Sequence, residues 1–210
     1  MSMIIAIVNQ HNTQDRNIVA RNLAVLRARS GRKVCLAMPE HARDDSDWCA
    51  ERGAAAILPR IEARHLNNRS AGSRLAQLRL LFNDMLIDAG TRDNEASRCA
   101  LAAARLVLIP VRGAEIDLAS QYALMTRLNA ARALNRNLPV MFLMVSGARG
   151  PGDHEREAVL AHMSRVAGAT LATTVLREPG VRGFGAGRCA SDGLTPSADM
   201  AELYRDVYGA

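Results

Sequence analysis

Along the chain, short unbroken apolar runs alternate with longer segments of helical period. Met3–Val8 (MIIAIV) is apolar throughout, the pattern of a strand buried on both faces. Arg16–Ser30 follows with a helical period and stops at Gly31, a residue suited to the left-handed position past a helix end. Lys33–Ala37 reads as the next strand, so the chain opens with a βαβ unit and a parallel pair.

The alternation continues to the end. Ala54–Leu58 reads as a short strand, Arg69–Leu81 as a helix and Met85–Ile87 as a strand closed by Asp88. Asn94–Ala104 is helical, Arg105–Val111 (RLVLIPV) a strand and Glu115–Asn135 a long helix. Leu138–Val145 is a strand apolar on both faces, Asp153–Ala167 a helix, Ala169–Leu176 a strand and Ser197–Tyr208 a closing helix. No repeat or linker divides residues 1–210, so the pattern predicts a single α/β domain. Its sheet is doubly wound and mainly parallel, with helices on both faces. Such sheets bind ligands beyond the carboxyl ends of their strands. The segments that matter are therefore Asn9–Asp15, Met38–Asp47, Asp88–Asp93, Arg112–Glu115, Ser146–Asp153 and Arg177–Gly193.

Composition changes this picture in three places. Aromatic residues make up 3% of the chain, so the core is built from Ala, Leu, Val, Ile and Met. Net charge is +6, which permits contact with nucleic acid or another acidic surface, and Lys33 is the one lysine among 27 Lys and Arg. Cys35, Cys49, Cys99 and Cys189 form no CxxC pair and stand near no His at ligand spacing, which argues against zinc and for reduced cytosolic thiols. Cys35 and Cys99 read as small core residues. Met3–Val8 is too short, and lacks the basic flank, for a signal peptide; no run approaches a membrane span, so a cytoplasmic location is expected.

Smaller features read plainly. Asp44, Asp45 and Asp47 form an acidic cluster expected in a solvated loop, with metal binding as the alternative. His154 and His162 are expected at the surface. Gly183, Gly185 and Gly187 follow neither the first strand nor open a helix, so they predict a flexible loop rather than a nucleotide loop.

Three stretches, in order, carry a resemblance: MIIAIVNQ at the start, Phe82–Asp88 with its following residues (FNDMLIDAG), and Ala104–Leu118 (ARLVLIPVRGAEIDL). Together they resemble the ParA/MinD family of Walker-type partition ATPases. The resemblance covers nearly the whole chain, and ADMAELYRDVYG is similar to the family's closing helix. It implies a P-loop NTPase-like fold of ParA/MinD type, ATP with Mg²⁺ as the family's cofactors, and a homodimer or a ParA-type partition partner. It also implies possible nonspecific contact with DNA; no membrane-targeting helix of the MinD kind is visible.

The family's phosphate loop has the form KGGVGKTT. It falls on His11, Asn12, Thr13, Gln14, Asp15, Arg16, Asn17 and Ile18, and no position is retained. A phosphate loop needs glycines so that successive backbone N–H groups can turn inward onto an anion. Asn9–Asp15 has none, and Asp15 sets a carboxylate where phosphates would sit. Arg16 stands at the Walker lysine, and its planar fork does not replace an ammonium in a tight nest. Asn17 stands at the Mg²⁺-binding hydroxyl, and His11 at the family's signature lysine. The family's Asp-x-Asp after the second strand becomes Met38-Pro39-Glu40. Asp88 alone matches, at the Walker B aspartate; it reads either as a water-mediated Mg²⁺ ligand or as a polar residue ending a strand.

The expectation is a ParA-like partition or cargo-positioning protein that has lost hydrolysis, needs no cofactor and acts through dimer or partner contacts. One alternative is an ATP-binding switch with an atypical loop using Arg16 and Asp88. Another is a nonspecific DNA binder using Arg27, Arg29 and Arg32 on the first helix and its exit with Arg182 and Arg188 in the late loop.

Overall fold

The computed structural model describes residues 2–9, 11, 13–39, 44–178 and 184–209. Its strands are β1 (Met3–Ile7), β2 (Val34–Pro39), β3 (Glu62–Leu66), β4 (Asp84–Asp88), β5 (Leu106–Val111), β6 (Val140–Ser146) and β7 (Ala169–Arg177). Its helices are α1 (Thr13–Arg29), α2 (Asp44–Ala54), α3 (Ala71–Leu81), α4 (Glu95–Ala103), α5 (Leu118–Leu134), α6 (Asp153–Met163) and α7 (Ala198–Tyr208).

All seven strands join one sheet in the order β3-β2-β4-β1-β5-β6-β7, and every pairing is parallel. The apolar runs explain the layering. In β1, Ile4 and Ala6 enter one core while Ile5 and Ile7 enter the other, the alternation of successive side chains across a sheet. The first core is covered by α3, α4 and α5 through Leu75, Leu78, Ala100, Leu101, Leu124 and Leu128. The second is covered by α1, α2 and α7 through Val19, Leu23, Trp48, Met200 and Leu203. The winding changes direction at β1, which lies between β4 and β5, and the crevice beyond its carboxyl end is where such sheets hold ligands.

Several expectations need correction. Ala54–Leu58 is not a strand: α2 runs to Ala54, and the third strand is Glu62–Leu66, paired to β2 from Cys35↔Glu62 onward. β3 sits at the sheet edge with one neighbour and is only partly buried, so nothing required it to be apolar. Asp44, Asp45 and Asp47 open α2 instead of lying in a loop, where carboxylates face the positive end of the helix dipole. α1 begins at Thr13, three residues before the expected start. The long helix before β6 starts at Leu118, capped by the Asp117 carboxylate, which accepts from the Ser120 N–H; Gly113–Glu115 forms a separate short turn. His162 is not at the surface: it is 5% exposed and sits edge-on to Phe142, ring centroids 5.2 Å apart. Burial and the nearby Arg165 push its imidazole pKa down. Cys35 is buried, and Cys99 is half-buried.

Candidate functional site

The early start of α1 decides the site. A phosphate cradle is made by backbone N–H groups left unpaired before a helix. Here Thr13, Gln14, Asp15, Arg16, Asn17 and Ile18 already belong to the helix, so six of the eight loop positions lie in its first turns. Asn12, Glu40, Arg182 and Gly183 lie outside the described residues.

What fills the crevice is side chain. Arg16, 3% exposed, turns onto Asp88 at the end of β4, with Nε donating to Oδ1 at 2.7 Å. Its Nη1 donates to the Asn9 side-chain oxygen, and its Nη2 to the Thr13 hydroxyl at 3.2 Å. The same Asp88 Oδ1 accepts the Gly90 backbone N–H at 2.8 Å. Both members of the pair are about 5% exposed or less. The position matching the Walker lysine and the one matching the Walker B aspartate are thus joined directly to each other.

A second pair lies beside the first. Asp15 is 3% exposed and is held bidentately by Arg112, which follows β5, with bonds of 2.7 and 2.9 Å. Arg112 also donates to Glu178 after β7. The hydrogen bond to Asp15 is the largest influence on Arg112 and raises its pKa despite partial burial. Beyond Asp88, the buried Arg127 of α5 donates to the carbonyls of Ala89, Gly90 and Thr91 and to the Ser97 hydroxyl. Desolvation pushes the Arg127 guanidinium down to about 10. The loop after β4 is therefore gripped from both sides.

The remaining predicted positions scatter around this centre. His11 is half exposed and pairs with Asp117 at 2.9 Å. Thr13, Gln14 and Asn17 line an open cleft of about 430 Å³ with Arg188 and Phe184, and the Asn17 amide donates to Asp44 at 3.3 Å. Met38 is fully buried in the second core, a packing role. Among the described residues no group of three or more His, Cys, Asp or Glu is placed to hold a metal ion. Among the described residues no helix is long and apolar enough to cross a membrane.

Against the needs of Mg²⁺-bound triphosphate, these residues do not fit. The lysine position carries an arginine committed to Asp88, the residue matching the Walker B aspartate. The place of the phosphates carries Asp15 and its Arg112 partner. No glycine opens the backbone there.

Of the candidate DNA-contacting arginines, Arg27, Arg29 and Arg32 each bond to oxygens of this chain. Arg27 and Arg32 both reach Asp84 at the start of β4, with Nε to Oδ2 distances of 2.7 and 3.0 Å. Arg29 donates to the carbonyls of Asp192 and Gly193. Arg188 lines the open cleft along α1 with Thr13, Asn17 and Arg21. Residues 184–193 are also less free than a flexible loop. The fully buried Arg52 donates to the Gly187 carbonyl and grips Asp192 at 2.7 and 2.9 Å. Gly187, at φ +73°, packs so tightly that a Cβ would lie 2.2 Å from the Arg52 nitrogen.

Sequence reasoning located Arg16, Asp15 and Asp88 but not their partners. Arg112 fell within a strand-end segment worth inspecting, and its position just beyond RLVLIPV was the available signal. Asn9 and Glu178 also lay in such strand-end segments, Asn9–Asp15 and Arg177–Gly193, whereas Arg127 gave no signal, because it acts through contacts with a distant segment.

No protein-family profile matches the chain, and no curated protein matches it in sequence. Solved structures do match in fold. The MinD cell division protein of Aquifex aeolicus superposes with a TM-score of 0.69 at 14% identity, covering 99% of this chain and 98% of that one. A cobyrinic acid a,c-diamide synthase from Mycobacterium smegmatis, with bound ATP analogue and magnesium, gives 0.66 at 15% identity over 98% and 92%. A putative plasmid partition protein from Borrelia burgdorferi, bound to AMPPNP, gives 0.65 at 12% over 100% and 98%. The chain has the ParA/MinD type of P-loop NTPase fold.

Proposed function

We propose that this chain is a ParA-like partition or cargo-positioning protein that has given up ATP hydrolysis and works through contacts with a second copy or a partner protein. The observation that carries this reading is the buried Arg16–Asp88 pair. Hydrolysis draws its rate from positioning and from preorganised charge around the transferring phosphate. In this chain the two groups best placed for that work neutralise each other. The partition and cell-division proteins among the fold neighbours support the role. The synthase among them shows that the fold alone serves other chemistry as well, so the site carries the argument.

The reading predicts that pure protein shows no turnover of Mg–ATP and no rise in melting temperature at millimolar concentrations. A ligand that binds only the folded state must stabilise it. Turnover abolished by Asp88→Ala, or a saturable thermal shift lost in Arg16→Ala, would overturn it.

A further inference from the structure

α6 has the weakest hold on the molecule. Of its eleven residues only Val159 and His162 are buried, fewer than in any other α-helix. One of these two anchors is a titratable group. His162 is 5% exposed, and among the described residues its ring Nδ1 meets no hydrogen-bond partner. It also walls a pocket of about 30 Å³ beside the crevice, room for about one or two waters and no larger ligand. The charged groups around it offer a proton no home. On the α6 side stands Arg165, itself a cation. Across the pocket are His11, Arg112 and Glu115. His11 is committed to Asp117, and Arg112 to Asp15 and Glu178. Glu115 is 39% exposed and pairs with Arg112 at 3.7 Å. Phe142 of β6 and Ser120 and Leu124 of α5 are uncharged.

We propose that His162 is a proton-released pin: neutral, it holds α6 and the Gly113–Glu115 turn against the sheet, and its protonation in mild acid frees them. A proton on this ring would set a charge in a buried site with no acceptor for it, and an unpaired buried charge is strongly unfavourable. A helix with one other buried side chain has little else to resist release, and elements with few buried contacts open first. The turn moves with the helix because their backbones touch: a Cβ on Gly113 would lie 2.6 Å from the Glu155 Cα. Arg112 adjoins the turn and holds Asp15, so release reaches the crevice. The inference is independent of whether the chain binds nucleotide.

The direction of the pH effect follows from linkage. Burial, and then Arg165, push the His162 pKa down. A folded pKa below the unfolded value of about 6.5 gives stability that is full above that value and lost as pH falls below it. Between about pH 7.5 and 5.5 the folding constant should fall through this group by at most about tenfold. Asp45 acts in the opposite sense. Burial pushes its pKa up to about 6 against the pull of Arg21, so its contribution grows as pH falls through that value. The difference between the natural protein and a His162 variant isolates the imidazole.

The experiment is hydrogen–deuterium exchange of the full chain at about pH 7.5 and 5.5, corrected for the intrinsic pH dependence of exchange, with urea unfolding at both. The amides of residues 113–118 and 153–163 should gain exchange at the lower pH several-fold beyond those of β5 and β6. His162→Gln, uncharged at both pH values, should show no such gain, and its folding constant should fall less than that of the natural protein. Should the glutamine prevent folding, the NMR titration of His162 in the natural protein decides: the ring must protonate below about pH 6.5. Exchange that rises evenly over the whole chain, a local gain that persists in His162→Gln, or a ring that titrates at or above that value overturns the inference.

Discussion

The five residues of β4, Asp-Met-Leu-Ile-Asp, end in the same side chain at both ends, and both ends are held by arginines of α1. Asp84 takes Arg27, and Asp88 takes Arg16. Four strand steps span about 13 Å, and eleven helix steps span about 16 Å. One antiparallel helix can therefore staple the strand twice. The surroundings differ. At Asp84 two arginines and the Met3 N–H share one carboxylate, and the arginines remain 19 and 32% exposed. At Asp88 one arginine meets one carboxylate, both almost fully buried. The first end lies away from the ligand crevice and serves stability. The second uses the same chemistry in the crevice and occupies it.

The largest effect should come from breaking the dry end. Arg16→Ala leaves Asp88 buried without its cation, and the cost in urea unfolding should be about 3–5 kcal/mol. A loss under about 1 kcal/mol would mean that water reaches the pair, and the contrast between the ends would fail. At the wet end, Asp84→Asn should cost less, about 2 kcal/mol, because Arg27 and Arg32 can turn to solvent.

Acid sharpens the same contrast. Burial alone would raise the Asp84 pKa, but hydrogen bonds from Arg32, Arg27 and the Met3 N–H outweigh it and leave the pKa lowered. A lowered folded pKa gives stability that is present above the unfolded value of about 3.9 and lost as pH falls through the folded one. Natural protein should therefore lose stability below about pH 4, and Asp84→Asn should lose less over that window. Equal slopes for the two proteins would remove Asp84 from the account. The smallest effect should come from replacing the dry pair outright. Arg16→Met with Asp88→Leu should unfold within about 1 kcal/mol of the natural protein, since apolar replacements of buried pairs are often neutral or stabilising.

The fold was largely legible because β1, β5 and β6 are buried on both faces and so must be apolar throughout. β3 was not, because an edge strand with one neighbour tolerates Glu62, Arg64 and His65. α2 was not, because three consecutive-looking acidic residues signal a solvated loop as readily as a helix start. In the site, the identities of Arg16 and Asp88 were visible, and so was the absence of glycine. That they meet was not: the partners are 72 residues apart, and Asp15 and Arg112 are 97 apart. Pairing across a sheet depends on strand order, which local pattern does not encode.

The central claim, that Arg16 occupies Asp88 in place of a nucleotide, is tested most directly by a crystal structure of the protein grown with millimolar Mg–ATP. The account predicts Arg16 Nε still on Asp88 Oδ1 near 2.7 Å, with no phosphate density at residues 11–17. A triphosphate seated there, with Arg16 swung away from Asp88, would contradict it.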